Sequence, residues 1–246
     1  MKKKFILGIV CLLGFLSSNA QIQLGVTGGA DYSTMNVRLE SQNVLGVKGT
    51  PSYHFGVTSK YSVNENFYLA ADLLFSKKGF KQSDRQYGPD NLTNFDVSLY
   101  YIELPVLMEF KVKFKKMNVL FGIGPYVSYG IGGNVKLDII SSSTNLSYSE
   151  KIRWDKYYSD PTNIGERIVY DYGYSKIKRL DYGAVTRFGI EFNSFILSAE
   201  YKYGIANLMW EFRKYERMNN QSIGLSLVYL LKTKKQHSPA RKAANR

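Results

Sequence analysis

Eight stretches of the chain alternate with a period of two between large apolar residues and small or polar ones: 22–33, 53–63, 67–76, 97–111, 118–132, 180–192, 195–205 and 220–230. A period of two is the signature of extended strands that show different faces to different surroundings. In "FGIGPYVSYGIGG" one face takes Val119, Phe121, Ile123, Pro125, Val127, Tyr129 and Ile131, and the other Leu120, Gly122, Gly124, Tyr126, Ser128, Gly130 and Gly132. A phosphate-binding loop also clusters glycines, but it needs a helix after them, and here the alternation runs straight through. The connections alternate too: short at 64–66, 112–117 and 193–194, long at 34–52, 77–96, 133–179 and 206–219. Short turns at one end and long loops at the other describe an outer-membrane barrel, and an even strand count puts both chain ends on the short-turn, periplasmic side.

A soluble secreted barrel of the lipocalin kind shares the period, so composition has to decide which face is inside. In 180–192, Leu180, Tyr182, Ala184, Thr186, Phe188, Ile190 and Phe192 share one face, while Asp181, Gly183, Val185, Arg187, Gly189 and Glu191 share the other. Glycine weakens a strand and packs nothing, so a water-washed surface seldom concentrates it. The crowded interior of a narrow barrel needs it where large side chains and backbones approach. The glycine face therefore points inward and the apolar face toward lipid. Tyr61, Phe67, Phe110, Phe192, Phe195 and Tyr229 lie near the short-turn ends of the apolar stripes, where aromatic rings form the girdle of such barrels.

The N-terminus fits export. Lys2, Lys3 and Lys4 precede an apolar run to Leu16 and then "SSNAQ", the pattern of a signal peptide over residues 1–20 cleaved after Ala20. Val10 before Cys11 is too bulky for a lipoprotein signal, and the remaining chain has no cysteine, which removes disulfide and thiolate chemistry. No later run reaches the roughly 20 apolar residues a membrane helix needs. The formal charge of +13 is concentrated at the ends: three lysines fall in the leader and six basic residues in 232–246, leaving +4 for the barrel, 21–231. That distribution implies a basic periplasmic tail and no nucleic-acid partner.

The sequence resembles the PorT-like outer-membrane β-barrel proteins of Bacteroidota in "GVTGGADYS", "LLFSKKGF", "YYIELPVLMEFK", "FGIGPYVSYGIGG", "LDYGAVTRFGIEF" and "SAEYKYGIANL". The resemblance implies an eight-stranded antiparallel transmembrane up-and-down β-barrel in the outer membrane of a Gram-negative bacterium, with lipids around it and the barrel-assembly machinery as its partner during biogenesis. Some members of that family assist type IX secretion. The chain departs from the pattern in ending its last strand "VYLLK" rather than with an aromatic residue, and in the tail that follows.

No enzymatic activity and no cofactor are expected. His54 and His237 are the only histidines; His54 on the glycine face reads as an interior group satisfied by a hydroxyl. Neither G-x-S-x-G nor H-E-x-x-H occurs. Two histidines without a thiol argue against zinc, and Asp138, Asp155, Asp160 and Asp171 lack calcium-loop spacing. Eight strands enclose space for side chains alone, and Lys60, Asp72, Glu103, Tyr126, Arg187, Glu200 and Lys202 are expected to knit into a polar plug, making a small-solute porin the weaker reading. A two-residue turn at Asn193 and Ser194 would set Phe192 opposite Phe195 and Arg187 opposite Glu200 as a structural brace.

Function then falls to the loops or the tail. Trp154, Tyr157, Tyr158, Tyr170, Tyr172 and Tyr174 in 134–178 have the composition of a contact surface for an extracellular partner, or else of cross-strand pairs that extend the strands above the membrane. The alternative is an accessory to protein export whose tail docks a component of the secretion apparatus.

Overall fold

The computed structural model describes residues 22–39, 42–43, 47–86, 91–141, 145–152, 154, 177–209 and 217–231. The leader and the tail expected from the sequence lie outside these residues. Ten strands follow in chain order: β1 (Ile22–Leu39), β2 (Gln42–Asn43), β3 (Val47–Ser62), β4 (Phe67–Gln86), β5 (Asn91–Lys113), β6 (Asn118–Ser141), β7 (Asn145–Lys151), β8 (Leu180–Phe192), β9 (Phe195–Gly204) and β10 (Arg217–Leu230). Eight of them, β1, β3, β4, β5, β6, β8, β9 and β10, form an antiparallel ring, closed by fourteen residue pairs between β1 and β10 from Gly25 with Leu230 to Arg38 with Arg217. β2 rides on the end of β1, and β7 pairs the part of β6 that β8 does not reach.

The eight alternating stretches each fall on a ring strand, with 53–63 and 195–205 running one residue past its end. At the last short turn Asn193 adopts φ 54°, a left-handed conformation that asparagine tolerates without glycine. Phe192 accordingly faces Phe195, and Arg187 faces Glu200.

The ring is sheared. A walk through paired residues from Ser62 passes Tyr68, Glu109, Gly122, Arg187, Glu200, Gly224 and Asp31 and returns to β3 at Ser52, ten residues from its start. With strands about 4.8 Å apart and a rise of about 3.3 Å per residue, eight strands at that stagger tilt by about 40° and enclose a backbone radius of about 8 Å. Side chains from opposite walls meet within such a radius.

The outward face of the short-turn half is apolar. Val26, Phe55, Leu73, Leu104, Ile123, Phe188, Leu197 and Leu225, one from each ring strand, are all at least 42% exposed. The expected aromatic ring is present at the short-turn side, with Phe67 against Phe110 and Phe195 against Tyr229 at about 5 Å between ring centroids. A second ring, which the sequence reading missed, carries Tyr32, Tyr53, Tyr129, Tyr182 and Tyr203 on the same outward face, with Tyr100 among them. Along β5 the two rings are ten residues apart, from Tyr100 to Phe110. That is about 25 Å of height at this tilt, the thickness of a lipid-facing band.

Beyond the second ring the strands run on, as the cross-strand alternative for 134–178 had it and against the loop assignment of the other long connections. Much of the residues assigned to long loops is strand: 34–39, 47–52, 77–86, 91–96, 133–141 and 145–151. These segments build a collar in which polarity is reversed. A bulge at Ile131 makes the change on β6, since Tyr101 pairs Gly130 while Tyr100 pairs Gly132. The extra residue flips every later side chain to the other face. Gly132, assigned inward by its period, therefore lies outside, and Gly133, Val135 and Leu137 point in, toward Leu99 and Val97.

Candidate functional site: the barrel interior and its cap

At membrane-belt height the interior is filled by charge. Lys60, Lys78, Arg187 and Lys202 face Asp72, Glu103, Glu109, Asp181 and Glu200, and none of the nine is more than 4% exposed. Arg187 is the hub: Nε donates to Glu200 Oε1 at 3.0 Å, Nη1 to Glu109 Oε1 at 3.0 Å and Nη2 to Asp72 Oδ2 at 2.5 Å. One guanidinium thus ties β8 to β9, β5 and β4, which its planar fork of donors allows. Glu109 takes a second cation, Lys60, at 2.6 Å.

A second hub lies on Glu103. Lys202 donates to Oε1 and Lys78 pairs with Oε2, both at 2.5 Å, and the Ser128 hydroxyl donates to Oε2 at 3.1 Å. Lys202 lies 3.7 Å from Glu200, which joins the two hubs, and Lys78 lies 3.6 Å from Asp181. Asp181 accepts from Asn220 at 2.8 Å and from the Tyr126 hydroxyl at 3.4 Å. Tyr126 is packed over Gly183 and Gly204, and Lys78 lies 4.7 Å from the centre of its ring.

All seven residues expected in the plug are therefore in one connected network. Lys78, Glu109 and Asp181 belong to it as well and were not singled out. The signal was available, because Glu109 shares the inward parity of Glu103, and Asp181 that of Arg187. The glycines make the room. A Cβ on Gly122 would come within 3.0 Å of Glu109 Cγ, and one on Gly224 would fall on the Asp31 carboxylate.

Two smaller groups complete the interior. Lys111 pairs with Glu191 at 2.8 Å near the short turns, beside an apolar cluster of Leu120, Ile196, Val228 and Leu230. On the far wall His54 Nδ1 lies 2.6 Å from Asp31 Oδ2 and Nε2 lies 2.9 Å from Ser226 Oγ. The order hydroxyl, imidazole, carboxylate is that of a hydrolytic triad, but Ser226 is 1% exposed and the imidazole fills the space beside Gly29. The sequence reading gives His54 a neighbouring hydroxyl, which is Ser226, and leaves its nearest carboxylate open, which is Asp31.

Above the network the collar interior is apolar. Met35, Phe80, Phe95, Val97, Leu99, Tyr101, Leu137, Ile177, Leu208 and Met218 pack with Trp154 in one cluster. Trp154, expected as a loop contact residue, is buried there: its ring lies over Gly130, where a Cβ would overlap it, and edge-on to Tyr101 at 6.0 Å. Arg179 stacks 5.6 Å from the centre of the indole ring and donates to the Gly130 carbonyl at 3.0 Å. An indole finds more area to bury in this cluster than on a surface. Tyr157, Tyr158, Tyr170, Tyr172 and Tyr174 lie outside the described residues.

A family model described as outer membrane protein beta-barrel domain matches residues 17–209. Among solved structures the chain is similar to the attachment invasion locus protein Ail of Yersinia pestis, solved in complex with the heparin analogue sucrose octasulfate, at 13% identity over 85% of this chain and 99% of that one, with a TM-score of 0.37. It is similar to Neisserial surface protein A at 10% identity over 84% of this chain and 96% of that one, with a TM-score of 0.40. It is also similar to the outer membrane protein OprG of Pseudomonas aeruginosa, at 9% identity over 86% and 95%, with a TM-score of 0.41. No match was found among curated proteins.

Proposed function

Because the chain belongs to the outer membrane protein beta-barrel domain family, we propose that it is a sealed outer-membrane barrel whose work is done at its surface, by the strand-built collar and the segments the collar carries. The observation that carries this reading is the interior itself. An ion-pair network reaches from wall to wall at belt height, and a packed apolar cluster lies above it. Solute passage would require breaking both, and parting the ion pairs would leave buried charges uncompensated.

The Ser226, His54 and Asp31 group is part of the same packing in this reading. It offers no face to a substrate, so the protein is a structural and interaction barrel and not a hydrolase. We place the chain within the PorT-like barrels of Bacteroidota on the motifs quoted above, with residues 1–20 as a cleaved leader and the collar facing outward. N-terminal sequencing of the mature protein is expected to start at Gln21.

Planar-bilayer recording of the purified barrel tests the main point. No stable large conductance steps are expected from the wild type, nor from Arg187→Ala combined with Lys202→Ala, because the apolar cluster still closes the collar. Large steps in the wild-type protein would sink the reading.

A further inference from the structure

The outward face of the collar carries a row of charges set by strand pairing. Lys48 on β3 faces Lys81 on β4, Lys81 faces Asp96 on β5, and Asp96 faces Lys136 on β6. Lys81 and Asp96 form a half-exposed ion pair at 3.1 Å. Lys48 and Lys136 are exposed, and no ion pair to another described residue is recorded for either. Like charges directly opposite on a sheet repel, so the Lys48 and Lys81 pair is held at a cost that an external anion would offset.

The row's height identifies the anion. Lys77 is paired between Tyr53 and Tyr100 in the second aromatic ring, and Lys81 lies four residues further along the same strand, about 10 Å higher at this tilt. Paired residues climb about 3 Å per strand at this tilt, so Lys48 stands about 3 Å below Lys81 and Lys136 about 6 Å above it, and the row rises obliquely through the headgroup layer above the hydrocarbon band. Its three lysines span three strand spacings, about 14 Å, wide enough to meet more than one phosphate. Ammonium groups at such a surface attract anionic lipid by about 1 kcal/mol each.

We propose that Lys48, Lys81 and Lys136 form a docking surface for the phosphate groups of phosphorylated glycolipid in the outer leaflet. The proposal rests on the outward orientation of the collar given above. Bound lipid would neutralise the row and stiffen β3 to β6 against one another.

The full chain reconstituted in phosphatidylcholine vesicles with or without diphosphorylated lipid A provides the test, read as lipid A retained per barrel after detergent exchange. The triple variant Lys48→Gln, Lys81→Gln, Lys136→Gln should retain lipid A about fivefold less for each lysine removed. Lys115→Gln with Lys116→Gln, in an exposed short turn at the other end, should retain as the wild type does. Asp96→Asn, which removes no lysine, should retain more. Where the triple variant does not fold, the corresponding arginine variants should retain lipid A and Asp96→Asn still gives a reading. Unchanged retention in a folded triple variant overturns the proposal, as does equal displacement by free inorganic phosphate at matched phosphate concentration. Ser149→Cys labelling on whole cells tests orientation separately: an unlabelled cysteine refutes the outward collar, whatever the vesicles retain.

Discussion

The belt and the collar are built from the same continuous strands, yet they are opposites. In the belt, Ile123 and Leu104 face out while Glu103 and Arg187 are buried; in the collar, Lys136 and Lys81 face out while Leu137 and Phe80 are buried. A sheet does not decide which of its faces is a core. The surrounding medium does: hydrocarbon accepts the apolar face and leaves the polar groups to satisfy each other inside, whereas water reverses the preference. On β6 a single extra residue, Ile131, marks the transition.

The largest effect should come from inserting one alanine between Gly133 and Asn134. Deleting Ile131 would only remove the bulge, since Gly132 and Gly130 keep Tyr100 and Tyr101 as partners, whereas the insertion shifts the later count by one and turns Val135 and Leu137 toward water. The collar should become protease-sensitive and Trp154 fluorescence should shift to the red, while the belt keeps the heat-modifiable gel mobility of a closed barrel. An intact collar would mean that its polarity is not set by the register of β6.

Next comes Arg187→Glu, which leaves Asp72, Glu109 and Glu200 facing a fourth acid. A loss of about 3–5 kcal/mol or more is expected in denaturant unfolding. Adding Glu200→Arg should recover less than half of it, because only one of the three contacts is rebuilt. Full recovery would show that Asp72 and Glu109 are not Arg187 partners.

A charge on the outward face separates the regions directly. Ile123→Lys should cost about 2–4 kcal/mol, as expected at mid-depth in lipid, and Asn134→Lys, outward on the same strand in the collar, within about 0.5 kcal/mol of nothing. Equal costs would place both positions in one medium. The smallest effect is expected from Ser226→Ala, which removes one hydrogen bond to His54 and should cost about 1 kcal/mol without altering hydrolysis of a chromogenic ester. A loss of ester hydrolysis would make the group catalytic after all.

The belt was legible in sequence because lipid enforces a strict alternation: all eight strands, the three short turns and the pairing of Arg187 with Glu200 followed from it. The collar was not. Its alternation has the opposite sense, and the bulge breaks the count, so 133–141 reads as loop. Parity alone could assign Glu109, Lys78 and Asp181 to the interior, but not their partners. That Arg187 reaches Asp72 three strands away depends on the total stagger, which accumulates every register round the ring. Trp154 was misjudged because composition suggests contact without saying with what, and its partners Gly130 and Tyr101 come from two other strands.

The closing seam joins the first ring strand to the last. Until β10 arrives no lumen exists, and Lys60, Glu103, Arg187 and their companions are all hydrated. They are part of the reason that a chain whose finished exterior is a greasy band has a mean hydropathy of only −0.25. In transit the ion-pair residues act as a solubiliser for an otherwise sticky polymer. Once the ring shuts they become mortar.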